Sequence, residues 1–276
     1  VPIAQFIIKS LPLDSIMAEK LSRKDGEILP YMIDYAAGSG HFITEFMHEI
    51  QDIINDCDTS KYIEETRKHL VNWQNCHFDW ATDYVYGIEK DYRLVKVGKV
   101  GCYLHGDGLA NVILSDGLAN FCNNKEYKGK LRKQTNDGQK DNQQFDIVLS
   151  NPPYSVSSFR QTTRDYYAEQ DFELYNSLTD NSSEIECLFI ERTKQLLKDG
   201  GIAGVILPSS ILSNSGIYTK AREIILQYFD IIAIAELGSN TFMATNTPTV
   251  VLFLRRRDNY FAANTKSAVD TYFRTL

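Results

Sequence analysis

Phe145-Asp146-Ile147-Val148-Leu149 is an apolar run that leads directly into Ser150-Asn151-Pro152-Pro153-Tyr154. A run this short and apolar predicts a buried strand, and a polar turn at the carboxyl end of such a strand lies where open α/β sheets bind ligands. The two prolines fix φ and remove backbone donors, which leaves the carbonyls of the turn and the Asn151 side chain to serve a partner outside the sheet. We expect that partner to be an amino group, and the alternative is a plain strand-ending turn.

Length and charge limit the classes of function. The chain has 276 residues, a net charge of −7 and a sequence pI of about 5.3. One α/β domain over residues 1–276 is ordinary for this length, and no second core is required. The acidic balance argues against an independent binder of duplex nucleic acid, so positive charge for such a partner must be local or come from another protein. The locally basic residues 123–144 are either a solvated loop or an arm that contacts phosphates.

The spacing of the cysteines and the length of the apolar runs bear on metal binding and on the cellular compartment of the protein. Five cysteines are scattered without the paired spacing of a metal site, which predicts reduced thiols in a cytosolic protein and no metal. There is no signal-peptide pattern and no apolar run of about 18 residues, so the sequence predicts neither export nor a membrane span. Because the chain starts at Val1 without an initiator Met, we expect a fragment of a longer chain.

A glycine-rich turn follows an earlier predicted strand. Residues 29–33 form that strand, Asp34-Tyr35-Ala36-Ala37-Gly38-Ser39-Gly40 follows it, and apolar residues at helical spacing come next. Glycines at 38 and 40 let the backbone approach a ligand closely, and the amino terminus of the helix offers unpaired N–H groups to a carboxylate or phosphate. Strand, glycine turn and helix together predict a nucleotide-binding arrangement. The alternative for so short a glycine motif is an ordinary turn.

An acidic residue closes the next predicted strand, residues 84–88. Glu89 follows it directly, 49 residues after Gly40 because a polar helical excursion intervenes. An acid at this position of a strand–helix–strand unit is placed to bind the two hydroxyls of a ribose. The alternative is a solvated acid in front of a helix.

The segment Asp-Gly-Leu-Ala-Asn occurs twice, from Asp107 and again from Asp116. If residues 102–104 were the third strand, the preceding helix would end on two glycines, which is a poor helix end. A helix from Asp91 to about His105, capped by Gly106, instead makes residues 112–115 the strand and Asp116 its terminal acid. We therefore predict that the Asp116 carboxylate accepts the amino hydrogens of an adenine ring, with Asp107 as the alternative.

The remainder of the chain continues the alternation of helices and strands. An amphipathic helix is predicted over residues 184–198 and ends at Gly200-Gly201. A further helix is predicted over 217–228, and strands over 202–207, 231–237 and 249–254.

In their order, these parts resemble the S-adenosylmethionine-dependent adenine-N6 DNA methyltransferases, and within them the modification subunit of type I restriction-modification systems. The resemblance covers nearly all of the chain. Asn151-Pro152-Pro153-Tyr154 matches the family's catalytic tetrapeptide, and residues 34–40 are similar to its glycine-rich motif, with Tyr35 and Ala37 departing from the usual proline and cysteine. Pro2-Ile3-Ala4 is similar to the family's amino-terminal motif, and Glu89 and Asp116 fall at its two acidic positions. Phe242 lies near a position before the last strand where relatives have a second aromatic.

The resemblance implies a fold class and a cofactor. The fold is α/β, a Rossmann-like methyltransferase fold with a mostly parallel seven-stranded sheet, an antiparallel last strand and helices on both faces. The cofactor is S-adenosyl-L-methionine, and the residues implied to bind it are Asp34, Ala36, Gly38, Ser39, Gly40, Phe42, Glu89, Asp116, Gly117 and Asn151.

The resemblance also implies the chemistry. The catalytic residues are Asn151, Pro152, Pro153 and Tyr154, and the Asn151 oxygen and the Pro152 carbonyl would accept both hydrogens of an adenine amino group. The adenine must be flipped out of the duplex, and Tyr154 and Phe242 would stack on it. The implied partners are double-stranded DNA and separate specificity and restriction subunits.

Other interpretations of the tetrapeptide stay open. It also occurs in enzymes that methylate a protein glutamine or a guanine in RNA, and a single-chain restriction enzyme and methyltransferase would carry the same domain. A non-catalytic scaffold of the same fold is the alternative from another class. The DNA target is not readable from these residues, so specificity comes from a separate subunit or from another region of the same chain.

Overall fold

The computed structural model describes residues 2–23, 26–104, 106, 111–120, 143–164, 171–238, 241 and 247–275. The chain divides into two compact units, Val1–Leu114 and Ser115–Leu276. The expectation of one catalytic domain over residues 1–276 stays a prediction.

The first unit contains a parallel arrangement of three strands in the order β3-β2-β1. The strands are β1 (Met32–Asp34), β2 (Val85–Glu89) and β3 (Asn111–Leu114). The helices described in this unit are α1 (Pro2–Lys9), α2 (Leu13–Ser22), α3 (His41–Asn55), α4 (Glu64–Asn75), α5 (Ala81–Tyr84) and α6 (Tyr92–Leu104).

Strand β1 is shorter than predicted. The sequence predicts a strand over residues 29–33, but pairing with β2 covers only Met32, Ile33 and Asp34. Pro30 lies inside the predicted run and has no N–H to donate to a neighbouring strand, which accounts for the late start.

Helix α3 packs closely on β2. Its buried side chains include Phe42, Ile43 and Phe46. A Cβ at Gly87 of β2 would lie only 2.6 Å from Cδ1 of Ile43, closer than real Cβ contacts come. Glycine at position 87 is therefore what lets α3 approach the strand.

The position of the third strand is as predicted. Residues 102–104 belong to α6, and Gly106, with φ of +97°, donates its N–H to the Tyr103 carbonyl at 3.0 Å after the helix ends. Strand β3 pairs with β2 in parallel, with Ile113 opposite Ile88. Asp116 thus follows the third strand, whereas Asp107 lies outside the described residues.

The second unit contains four strands in the order β4-β5-β7-β6. They are β4 (Phe145–Ser150), β5 (Leu197–Pro208), β6 (Phe229–Leu237) and β7 (Thr249–Arg256), and β7 runs antiparallel to both of its neighbours. Its described helices are α7 (Phe159–Arg164), α8 (Ile185–Leu196), α9 (Ser210–Ser213), α10 (Ile217–Tyr228) and α11 (Asn259–Arg274).

Strand β5 begins earlier than predicted. It starts at Leu197, so Gly200 and Gly201 lie inside the strand and do not separate it from the helix. Pairing with β4 shifts register between Phe145 and Ile147, and the extra residues of β5 bulge there. Gly200 supports the bulge because its φ of +77° is a conformation that other residues rarely adopt.

Helix α8 is buried on every side. The sequence predicts one apolar face, yet all twelve residues of the helix are buried. The buried residues include four charged side chains, Glu186, Glu191, Arg192 and Lys194. Charged residues are rarely this buried unless they are paired, so their partners are of particular interest.

Strand β6 lies at the end of the strand order and is exposed. Among the described strands it pairs with β7 alone. Ile231, Ile232 and Ile234 are between 42% and 53% exposed, although they are large and apolar. The strand therefore presents an apolar edge of the second unit to solvent.

The predicted fold class is confirmed. The chain is a mixed α/β protein with seven strands, mostly parallel, in which the last strand is antiparallel. In the described part of the chain, no helix has the length and apolar character needed to cross a membrane.

Candidate active site

The glycine turn of the first unit is held by its own backbone and by β2. Asp34 is 1% exposed, and its Oδ1 accepts the Ala36 N–H at 3.0 Å. Ala37 donates its N–H to the Ile88 carbonyl at 2.9 Å, and Gly40 donates to the Ala37 carbonyl at 2.8 Å. Asp34 thus shapes the turn, while its predicted part in cofactor binding stays a prediction.

Gly38 and Gly40 both have left-handed backbones, with φ of +54° and +86°. A Cβ at Gly40 would also lie 3.4 Å from Cα of Gly98 in α6, whereas one at Gly38 would meet no atom within 4 Å. Glycine is therefore favoured at both positions by backbone conformation, and the neighbouring atom at position 40 is only at van der Waals distance.

The structure brings Glu89 to this turn. Its Oε2 accepts the Gly38 N–H at 2.8 Å, across 51 residues of sequence, and its Oε1 accepts the Asp91 N–H at 2.7 Å. Each carboxylate oxygen has two lone pairs, so both oxygens can accept a further hydrogen bond. The arrangement presents a fixed carboxylate that is suited to a pair of hydroxyl donors, and the ribose contact itself stays a prediction.

The amino terminus of α3 follows the turn. Gly40 caps the helix without a side-chain hydrogen bond, and Ser39 Oγ lies 2.8 Å from Nδ1 of His41. Phe42 is buried in the core of the unit. At this end of α3, the N–H groups of the first helical residues are suited to bind an anion. The predicted roles of Ser39 and Phe42 stay predictions.

Asp116 shapes the turn that follows β3. Its Oδ1 accepts the Leu118 N–H at 3.0 Å, and its carbonyl accepts the Ala119 N–H at 2.9 Å. Asp116 is 8% exposed and Gly117 is buried. The Asp116 carboxylate is therefore held in one orientation, which suits a group that accepts hydrogen bonds from one edge of a planar ligand.

A buried charged cluster holds the far end of the Asp116 turn. Arg192 of α8 donates to the Ala119 carbonyl at 3.1 Å and lies 3.5 Å from Oδ2 of Asp171. Asn120 donates to Oδ1 of Asp171 at 2.5 Å. The cluster connects the turn to α8 through groups that are themselves buried.

The predicted catalytic turn follows β4. Pro152 is buried, Pro153 is exposed, and Asn151 and Tyr154 are half-buried. The Asn151 Oδ1 atom is buried and has no hydrogen-bond partner among the described residues. A buried carbonyl oxygen without a donor is costly in a folded protein, so this acceptor is suited to a ligand donor.

Residues after the tetrapeptide are tied to the start of α8. The Ser155 N–H donates to Oε2 of Glu186 at 3.2 Å, and the Val156 N–H donates to the Ser183 carbonyl at 2.9 Å. Ser155 has a φ of +56°, an uncommon conformation for a residue other than glycine. The chain therefore leaves the tetrapeptide through an anchored and strained residue.

Glu186 itself is fully buried and is held from a second side. The Tyr218 hydroxyl of α10 donates to its Oε1 at 2.6 Å. Burial raises the pKa of the Glu186 carboxyl, and burial together with this hydrogen bond raises the pKa of Tyr218. Neither residue could be identified from the sequence, because Glu186 lies in a helix whose apolar pattern predicts a solvent-facing polar side.

This burial predicts a pH effect on stability. Because the folded protein keeps the Glu186 proton at pH values where the unfolded chain has lost it, the free energy of unfolding falls as pH rises above the ordinary Glu pKa of 4.5. Glu186→Gln removes that group, so its free energy of unfolding should fall less. Urea unfolding at pH 4.5 and near neutral pH measures the difference. An identical fall in both proteins would contradict the raised pKa.

Two residues of the predicted site are not among the residues that the structure describes. Phe242, the second stacking residue, lies outside the described residues, as does Asp107. Within the described ranges, no group of three or more His, Cys, Asp or Glu side chains is arranged to hold a metal ion.

Comparisons with known proteins agree on one family. Residues 12–270 match the family described as N-6 DNA Methylase. The restriction enzyme and methyltransferase RM.Eco57I of Escherichia coli is 29% identical over 280 residues, 92% of this chain and 27% of that protein. The type I EcoEI methylase subunit of Escherichia coli is 22% identical over 241 residues, 87% of this chain and 40% of that subunit.

A solved structure gives the same fold. The M protein of the type I restriction enzyme EcoKI superposes with a TM-score of 0.59 at 19% identity, over 93% of this chain and 44% of that one. This chain spans less than half the length of each of these three proteins. The family match extends over nearly all of its 276 residues, and the chain belongs to the N-6 DNA methylase family.

Proposed function

We propose that this chain transfers a methyl group from S-adenosyl-L-methionine to the N6 amino group of adenine in DNA, as the modification activity of a restriction-modification system. The observation that carries the proposal is the Asn151 side-chain oxygen. It is buried at the end of β4 without a hydrogen-bond partner among the described residues, inside the family's catalytic tetrapeptide. An amino group is a donor that would satisfy it.

Asn151 and Pro152 would activate that amino group by accepting hydrogen bonds from it. The nitrogen of an aromatic amine is a poor nucleophile because its lone pair is delocalised into the ring. Accepting one hydrogen on the Asn151 oxygen and the other on the Pro152 carbonyl favours a tetrahedral nitrogen with its lone pair directed outward. Such catalysis consists of positioning and electrostatic stabilisation, without a covalent enzyme intermediate.

The residues of the two acidic turns fit S-adenosylmethionine. Glu89 offers two fixed carboxylate oxygens that can accept hydrogen bonds from the two ribose hydroxyls of the cofactor. Asp116 offers a fixed acceptor for the amino group of the cofactor's adenine ring. Gly38 leaves open space at the turn. When bound, the cofactor would supply a methyl group on a positively charged sulfonium sulfur, and the neutral thioether would be the leaving group as the new N–C bond replaces the C–S bond. The remaining predicted contacts, from Ala36, Ser39, Gly40, Phe42 and Gly117, belong to the same proposal.

Tyr154 would hold the target base outside the duplex. Tyr154 is half-buried and follows Asn151 by three residues in the chain. An adenine in a duplex cannot reach a buried acceptor, so the base must be flipped. Stacking on an aromatic ring contributes about 1–3 kcal/mol per base, and Phe242 is proposed as the second ring.

We propose that sequence specificity comes from outside these residues. The net charge of −7 does not favour independent duplex binding. One relative is named as a methylase subunit and another as a restriction enzyme and methyltransferase. Both arrangements fit a single catalytic domain over residues 1–276 that works beside specificity and restriction functions. The type I arrangement is our first choice, and the single-chain enzyme is the alternative.

Transfer of a tritiated methyl group to DNA tests the proposal. The full-length protein, with and without co-purified partners, should label duplex DNA on adenine N6, and calorimetry should detect S-adenosylmethionine binding. Transfer to protein glutamine or to guanine in RNA would favour the alternative enzymes. A folded protein that binds no cofactor would favour the non-catalytic scaffold.

The choice between the repeated segments can be tested by mutation. Asp116→Ala is expected to weaken S-adenosylmethionine binding by roughly 10- to 100-fold, because it removes a charged acceptor. Asp107→Ala is the matched control and should leave the dissociation constant unchanged. Calorimetric titration of both variants measures the effect. The reverse result would mean that Asp107, and not Asp116, binds the adenine ring of S-adenosylmethionine.

A further inference from the structure

Helix α8 carries charged side chains into the interior of the second unit. All twelve of its residues are buried, and Glu186 and Glu191 are at most 1% exposed. Burying a carboxyl group is unfavourable, and burial is the main cause that raises the pKa of both. Each carboxyl group must therefore be held by hydrogen bonds whose geometry constrains its partners.

One of the two partners of Glu186 directly follows the catalytic turn. One of its oxygens accepts the Ser155 N–H, directly after Tyr154, and the other accepts the Tyr218 hydroxyl. Ser155 adopts a left-handed backbone, which is unfavourable for serine and persists only where the surroundings enforce it. The bond to Glu186 is one such constraint, and the Val156 bond to Ser183 is another.

The chain between the two anchored ends is short and stiff. Ser150 is the last residue of β4 and fixes the beginning of the turn. Pro152 and Pro153 have locked φ angles, so Asn151 and Tyr154 are the residues with ordinary freedom before Ser155. Anchoring Ser155 therefore limits how far Asn151 can move.

We infer that Glu186 is a positioning residue for methyl transfer: it fixes Ser155, and through it the direction of the Asn151 acceptor and the Tyr154 ring. Glu186 does not itself touch the substrate, and its role in transfer rests on the proposed function. Tyr218 supports this role because its hydroxyl donates a hydrogen bond to the Glu186 carboxyl group and holds it in place. The chain thus uses a residue 35 positions after Asn151 to keep its catalytic turn in shape.

Substitution at two buried glutamates separates positioning from stability. Glu186→Met keeps the volume and removes the acceptor, and should lower kcat by between about 10- and 100-fold with KM for S-adenosylmethionine within about 2-fold. Glu186→Gln keeps an acceptor for Ser155 and should restore kcat to within about 3-fold of the wild type. Tyr218→Phe is a milder change and should lower kcat by a few-fold.

Glu191→Met is the matched control. Glu191 lies on the same helix and is equally buried, but it accepts the N–H groups of Glu173 and Leu174, at 2.7 and 3.1 Å. Its folded fraction should retain the wild-type kcat. Equal losses of kcat in Glu186→Met and Glu191→Met, or no loss in Glu186→Met, would overturn the inference.

A second measurement does not depend on activity. Hydrogen exchange of the Ser155 amide should be faster in Glu186→Met than in the wild type, and unchanged in Glu191→Met. If the wild type transfers no methyl group, the proposed function fails, but this exchange still decides whether Glu186 holds the turn. Should Glu186→Met not fold, the same comparison with Tyr218→Phe applies, and unchanged exchange there would count against the inference.

Discussion

Asn151→Ala is expected to lower methyl transfer by about 1,000-fold or more, while the affinity for S-adenosylmethionine stays within several-fold of the wild type. The substitution removes the buried oxygen that has no donor among the described residues. Loss of one preorganised group that stabilises charge in a transition state typically costs about 100- to 1,000-fold. The loss here should reach or exceed the upper value, because the same oxygen also positions the amino group.

Single-turnover transfer to DNA and calorimetric titration of the cofactor measure the two parts separately. Asn75→Ala is a suitable control, because Asn75 is exposed at the end of α4 and its side chain donates within its own helix, to the Val71 carbonyl. It should change neither quantity. Equal losses of transfer and of cofactor affinity in Asn151→Ala would mean that Asn151 mainly holds the cofactor.

Asp171→Ala is expected to lower the free energy of unfolding by about 3–5 kcal/mol. Asp171 lies 3.5 Å from the guanidinium of Arg192, which is fully buried, and it accepts from Asn120. Removing the carboxylate leaves Arg192 as a buried cation whose nearby anion is gone. The energy of such a change comes mainly from the charge left behind.

Denaturant unfolding of the variant measures this loss. Asp180→Ala is the matched control, because Asp180 also pairs with an arginine, Arg160, at 2.9 Å but is 72% exposed. Surface pairs of this kind contribute about 1 kcal/mol or less. Similar losses in the two variants would show that burial does not decide the strength of the Asp171 pair.

The sequence predicted well those parts of the fold that depend on neighbouring residues. Gly38 and Gly40 mark the turn between β1 and α3 because left-handed backbones favour glycine, and the structure has them there. The choice of residues 112–115 as the third strand followed from the poor helix end that the alternative required, and β3 and Gly106 agree with it. The tetrapeptide likewise lies directly after a buried strand.

Features that depend on distant residues were not predictable in the same way. The apolar pattern of α8 predicts a half-exposed helix, but Glu186, Glu191 and Arg192 form hydrogen bonds with segments before the helix, and Glu186 also with α10 after it. Contacts of this kind leave no periodic pattern in the sequence. The sequence predicted only that Gly38 and Glu89 contact the same ligand. It did not predict the hydrogen bond that joins the two residues directly.

The exposed edge of β6 has a practical consequence for work with this protein in solution. Residues 231–235 are Ile-Ile-Ala-Ile-Ala, a stretch without charge or proline at the end of a strand order. Such an edge is a template on which a strand of another molecule can pair, and concentrated samples would then associate into aggregates. Purification at low protein concentration, with light scattering followed at each step, is therefore the appropriate way to prepare material for binding and transfer assays.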